Sequence, residues 1–205
     1  MMFGGDGYGA WPCLADRLNA SSVVYSVGIG FDMHFDLALI DRFDLTVHAF
    51  DPTPRVIEWL AHNPPPAGFK YQPLGLAWLD GELSFAAPAD DNAVSGTVVP
   101  EALVGQKTVS IPVARLKTMM SELGHTHIDV LKMDIEGAEY AVLDDMLDCG
   151  ILPDQLLVEF HHGKRRKGRY PVSATRKRVA ALLARGYKIF WCSESGRELA
   201  FAMVA

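Results

Sequence analysis

A short β-branched run, Val23-Val24-Tyr25-Ser26-Val27, stops at Gly28-Ile29-Gly30 and gives way at once to a helical pattern. Strand, tight turn and helix follow from that order. Phe31, Phe35, Ala38 and Leu39 recur at i, i+4, i+7 and i+8, which turns one face toward a sheet and leaves Asp32, Asp36 and Asp41 on the others. A second strand, residues 45–50, runs into Asp51-Pro52-Thr53-Pro54. Thr53 is placed to cap a helix, Pro54 suits its first turn, and Ile57, Leu60 and Ala61 form the expected buried stripe before Pro64-Pro65-Pro66 ends it.

The alternation continues after a β-rich middle over residues 69–112, in which residues 70–78 read as one strand and Asp80-Gly81 as a turn. Leu116, Met119, Met120 and Leu123 make a helix closed by Gly124. A strand over 128–133 then enters Asp134-Ile135-Glu136-Gly137 and a helix carrying Ala138, Ala141, Val142 and Leu147. Residues 155–160 form the next strand, and 173–185 a helix with Val179, Leu182 and Leu183 inward. The chain closes with a hairpin, 187–192 against 198–204. Strands alternating with helices predict an α/β, Rossmann-like fold: a mostly parallel, doubly wound sheet with a C-terminal antiparallel hairpin supplying an edge strand.

At 205 residues, with no internal repeat or linker, the chain fits one domain over 1–205. No apolar run is long enough to span a bilayer, and the opening residues carry neither the basic nor the apolar region of a secretory signal, so a cytoplasmic protein is expected. Cys13, Cys149 and Cys192 are odd in number and widely spaced, which points to neither disulfides nor zinc. A net charge of −6 argues against nucleic-acid binding and favours a small-molecule partner, while the oligomeric state is not legible.

In doubly wound sheets ligands sit outside the carboxyl ends of the strands, near the switch point. Gly28 and Gly30 permit close backbone approach there. Asp51, ending the next strand at the ~20-residue spacing typical of a ribose-gripping acid, favours a nucleoside; a tight turn followed by a capping aspartate is the plainer alternative. The dinucleotide fingerprint wants a small residue where Met33 stands, which disfavours NAD or FAD. A pyrophosphate would be repelled by Asp32 beside the turn. A ligand bearing a sulfonium and an ammonium would not, and S-adenosylmethionine bears both.

Three blocks, residues 24–32, residues 47–54 and Ile128-Asp129-Val130-Leu131-Lys132-Met133-Asp134-Ile135-Glu136-Gly137-Ala138-Glu139, resemble the successive motifs of FkbM-type methyltransferases. The resemblance covers nearly the whole chain. It implies a class I methyltransferase fold with Gly28, Gly30 and Asp51 in the S-adenosylmethionine site and, for this family, O-methylation of a hydroxylated small-molecule, sugar or lipid-linked acceptor. Ser26 stands where many such enzymes have an acid contacting the methionine moiety, a role Asp32 could take over, and Lys117 stands where Leu-Asp is common. Pro52 completes the expected cofactor set, with residues 1–22 packing on or near it.

Asp134 is expected to orient or deprotonate the acceptor and Glu136 to hold a second hydroxyl or cap the next helix, helix capping by both being the plainer alternative; Lys132 either makes a structural pair or neutralises Asp134. His161 and His162 end the fifth strand. Either is a general base poised for O-methylation, the pair with Asp134 is a divalent-metal site, or both are merely exposed. Trp11, Tyr8 and Trp78 either cover the site or pack in the core, and the basic run 164–169 either attracts an anionic acceptor or is solvated. No cysteine or serine stands in a nucleophile-and-base arrangement, so direct in-line transfer is expected. A non-catalytic nucleotide-binding protein and an NAD-dependent oxidoreductase are the competing functions.

Overall fold

The computed structural model describes residues 1–5, 9–86, 97–98, 108–163 and 170–204; Tyr8, the polar stretch 90–96 and the basic run 164–169 lie outside them. Two short strands, β1 (Met2–Phe3) and β2 (Trp11–Pro12), pair antiparallel ahead of the main body. There follow β3 (Val23–Val27), α1 (His34–Phe43), β4 (Thr46–Phe50), α2 (Pro54–His62), β5 (Phe69–Gln72), β6 (Gly75–Leu76), β7 (Gly81–Ala86), β8 (Thr97–Val98) and β9 (Thr108–Ala114). The second half runs α3 (Leu116–Leu123), β10 (Val130–Met133), α4 (Glu139–Asp148), β11 (Gln155–Glu159), α5 (Val172–Ala184), β12 (Tyr187–Cys192) and β13 (Glu198–Met203).

Seven strands form the central sheet in the order β12-β13-β11-β10-β3-β4-β5. The pairs from β11 through β5 are parallel, and β13 runs antiparallel to both its neighbours. The expected parallel sheet and closing hairpin are therefore present, with β12 as the antiparallel edge strand and β13 one place inside it. β13 is inserted between β11 and β12, because Leu199, Ala200, Phe201 and Ala202 are all buried whereas β12 leaves Lys188 and Ile189 exposed. The more apolar strand takes the interior slot. The apparent single strand over 70–78 is two: β5 closes the large sheet, and after Pro73 the chain crosses to β6 of a separate four-stranded sheet, β6-β9-β7-β8.

Helix faces follow the predicted periodicity with three departures. In α2 the buried positions are Val56 and Leu60, while Ile57 is 43% exposed and Ala61 lies outward. The helix starts at the expected Thr53 and Pro54, and its inward stripe is Val56 and Leu60, one turn apart at i and i+4, which leaves Ile57 and Ala61 one step round on the outer side. Leu183 of α5 is likewise 45% exposed beside a buried Leu182. In α1 Phe35 and Leu39 pack inward as expected, but Asp36 is buried with them. Among the described residues no helix is long and apolar enough to cross a membrane.

Successive strands run outward from β3 in one direction and from β10 in the other, so the switch point lies between these two. There Val27 pairs with Met133, and the Asp134 amide donates to Val27 O at 3.1 Å. A Cβ on Gly28 would stand 1.8 Å from Asp134 O, and the residue has φ +73°; Gly30, at φ +58°, faces open space. Gly28→Ala is expected to cost several kcal/mol, since backbone on both sides must move, and Gly30→Ala only the ~1–2 kcal/mol of a left-handed alanine. Urea denaturation of the two variants checks this: equal losses would show that Gly28 is not the closer crossing.

Candidate active site

Over the carboxyl ends of the central strands lies a cavity of about 820 Å³, within the size range of small-molecule sites. Gly28, Gly30 and Pro52 line its floor, Ile111 and Val113 of the second sheet one side, and Met2, Gly9 and Trp11 of the N-terminal segment another. Lys132 reaches in from β10, its ammonium donating to Gly28 O at 3.2 Å and lying 5.9 Å from the Trp11 ring. Trp78 is not among the lining residues.

Two aspartates stand on the β3/β4 side. Asp51 is buried, its Oδ2 accepting from the Gly30 amide at 3.1 Å and its Oδ1 from the Thr53 amide at 2.9 Å. Burial raises its pKa, against the opposing pull of the Thr53 and Gly30 hydrogen bonds and of Lys132. Asp36, which the helical pattern put on an outer face, is 2% exposed, lines the cavity and lies beside Ser26. Burial pushes its pKa up to about 6 even though Lys132 and the Ser26 hydroxyl favour the charge. Ser26 itself is fully buried and lies outside the lining. Asp32 sits at the rim, its Oδ1 accepting from the His34 amide at 2.7 Å. Lys117 is on the exposed side of α3, away from the cavity.

On the β10/β11 side Asp134, Glu136 and Glu159 line the same cavity, with Glu198 beyond them. Glu136 adopts φ +52°, an uncommon conformation for a residue with a Cβ. His161 is 8% exposed and lies behind these carboxylates rather than in the lining. Its Nδ1 is 2.5 Å from Oε1 of the fully buried Glu139, and its Nε2 lies 3.3 Å from Glu136, 3.6 Å from Glu159 and 3.7 Å from Asp134. Burial alone would lower its pKa, but the Glu139 hydrogen bond and the charges of Glu139, Glu136 and Asp134 outweigh that and raise it to about 9. At neutral pH this imidazole already holds its proton. Burial raises Asp134, opposed by Lys132 and His161, and burial with the Asp134 charge raises Glu159 to about 7.

His162 goes elsewhere: its Nδ1 is 3.0 Å from Thr175 Oγ1 of α5, which is 2.9 Å from the Tyr140 hydroxyl. The two histidines adjacent in sequence are thus separated in space, because consecutive side chains leaving a strand point to opposite faces. Sequence reasoning did not single out Asp36 or Glu139. Asp36 falls on an outer face of a wheel drawn from Phe31, which precedes the helix; Glu139 enters only as the last residue of the third motif block, with no local signal of its partner.

Asp36 gives a pH signature. Below about pH 4 its carboxyl is protonated in folded and unfolded chain alike; from there to above pH 6 the unfolded chain releases the proton that the fold retains, so stability falls as pH rises. Relative to Asp36→Asn, which cannot titrate, the wild type is expected to lose about 2 kcal/mol between pH 4 and pH 7.5. Denaturant titrations at both pH values read this directly, and parallel profiles would count against it.

Residues 36–189 match the methyltransferase FkbM domain. Over 159 residues the chain is 30% identical to the human and the rat proteins named probable methyltransferase-like protein 24; the alignments cover 73% of this chain and 37% of each relative. The chain thus spans little more than a third of the length of these relatives. Its fold is similar to that of the Methanococcus jannaschii fibrillarin pre-rRNA processing protein, with a TM-score of 0.52 and 10% identity over 90% of this chain and 67% of that one, a likeness of fold alone. With the family matched across most of its length on a sheet of the expected topology, the chain belongs to the FkbM methyltransferase domain family, whose cofactor is S-adenosylmethionine.

Proposed function

We propose that this chain is an S-adenosylmethionine-dependent O-methyltransferase acting on a hydroxylated small-molecule, sugar or lipid-linked acceptor, with one domain over 1–205 supplying the whole site. The observation that carries this reading is the division of one cavity into two acidic ends, Asp36 and Asp51 on one side of Lys132 and Asp134, Glu136 and Glu159 on the other. Bound S-adenosylmethionine supplies a sulfonium methyl that an acceptor oxygen takes in line, leaving S-adenosylhomocysteine.

Asp51 retains lone pairs beyond its two amide bonds, and these accept from ribose hydroxyls. Asp36 provides the carboxylate that Ser26 cannot, offering a counter-charge to the methionine ammonium; Asp32 serves the rim. Gly28 and Gly30 let the ligand approach the backbone. On the other side Asp134 orients the acceptor hydroxyl and Glu136 a neighbouring one, with Trp11 closing the wall. His161 is a positioning residue rather than a base, since it arrives already protonated and sits behind the carboxylates. The acidic rim and the net charge of −6 disfavour a polyphosphate backbone, so RNA is the less suitable acceptor.

Calorimetric titration with S-adenosylhomocysteine tests the cofactor half. Asp51→Ala is expected to weaken binding about 10- to 150-fold, the worth of one charge-assisted hydrogen bond of about 1.5–3 kcal/mol. Binding of NAD in preference would move the protein to the oxidoreductases. Methyl transfer from labelled cofactor to a panel of sugars, phenols, lipid-linked alcohols and RNA tests the acceptor half. Asp134→Ala should lower turnover about 10²–10⁴-fold with cofactor affinity intact, and His162→Ala should leave turnover nearly unchanged. Tight cofactor binding without transfer to any acceptor would favour a binding protein, and transfer to RNA alone would replace the acceptor class.

A further inference from the structure

We propose that Asp134, Glu136 and His161 hold a divalent cation at the acceptor end of the cavity, with Glu159 beside it. One atom from each of the first three lies within 4.8 Å of the others. A metal about 2.1 Å from each ligand sets neighbouring ligand atoms about 3 Å apart and opposite ones about 4.2 Å apart, and the separations of 3.3 Å and 3.7 Å from His161 Nε2 approach the shorter of these.

Two features distinguish this group from an ordinary acidic patch. First, His161 Nε2 is buried, points among three carboxylates at 3.3–3.7 Å, and makes a hydrogen bond to none of them; Asp134 Oδ1 is likewise buried without a hydrogen-bond partner. Atoms arranged around a common point, rather than donor to acceptor, suit coordination. Second, His161 Nδ1 is held by the buried Glu139, whose Oε1 also accepts from the Gly137 amide at 3.1 Å. A carboxylate on the far nitrogen is the arrangement that orients a metal-bound imidazole and fixes its tautomer. A ligating imidazole is neutral, so the cation takes the place of the Nε2 proton that His161 holds in the metal-free protein, while Glu139 keeps its hold on Nδ1.

Two carboxylates with one imidazole suit a hard to borderline ion such as Mn²⁺ or Mg²⁺ better than a thiophilic one. Resting on the function proposed above, the cation's role is to bind the acceptor oxygen and acidify it. The hydroxyl proton leaves to water, an oxygen lone pair forms the new C–O bond, and the C–S bond breaks with its electron pair remaining on sulfur. Neither histidine need then act as base.

The probe is Mn²⁺, followed by loss of its free electron-paramagnetic-resonance signal on titration into the full chain without cofactor. The wild type is expected to take up one Mn²⁺, and Glu136→Gln and Asp134→Asn to weaken it at least 10-fold while binding S-adenosylhomocysteine as the wild type does, which shows that they fold. Asp154→Asn, in the second group His127, Asp129 and Asp154, should leave Mn²⁺ binding unchanged. No uptake at millimolar Mn²⁺, wild-type affinity in both Glu136→Gln and Asp134→Asn, or loss in Asp154→Asn instead would overturn the site. Because the titration needs neither cofactor nor acceptor, Mn²⁺ bound by a protein that ignores S-adenosylhomocysteine would sink the methyltransferase reading and leave the metal site standing.

Discussion

Everything in the site depends on how closely two chain crossings approach at the switch point. Gly28 leaves β3 against the carbonyl of Asp134 leaving β10, with no room for a Cβ between them. That contact brings the turn after the first parallel strand and the Asp134-Ile135-Glu136-Gly137 segment into one wall. Lys132 reinforces it, donating to Gly28 O from the strand that ends in Asp134. Without that proximity the acids on the two halves of the sheet would belong to separate crevices.

The same crossing creates an electrostatic problem. Asp36, Asp51, Asp134 and Glu159 all have pKa values raised first of all by burial, and Lys132 supplies much of the counter-charge on the β3/β4 side. On the β10/β11 side His161 does so, anchored from behind by Glu139. The cavity therefore has a cation near its middle and another behind one end, with carboxylates facing inward around both. Such an arrangement costs stability in the free protein, and a cationic ligand offsets that cost, which is the general condition of a preorganised site.

The parts of this site that the sequence revealed are those where local chemistry and position coincide. A glycine after a strand, an aspartate at the next strand's end and a carboxylate pair at the fourth can be recognised because strand ends are visible in the apolar runs before them. Asp36 was illegible because its helix begins at His34, three residues after the phase suggested by Phe31, which instead packs against Trp59. Glu139 and His161 were each visible, yet nothing in their 22-residue separation showed that they would meet at 2.5 Å.

By itself the sequence determined the alternation of strands and helices, the parallel sheet, the closing hairpin and the family, because each depends on periodicity and short motifs within a few residues of one another. Tertiary structure alone decided that β13 lies inside the sheet, that Asp36 points inward beside Ser26, and that His161 joins the acids while His162 turns to Thr175. These depend on which face of one element meets which face of another. That is settled by packing between distant segments, for which a single sequence holds no local signal.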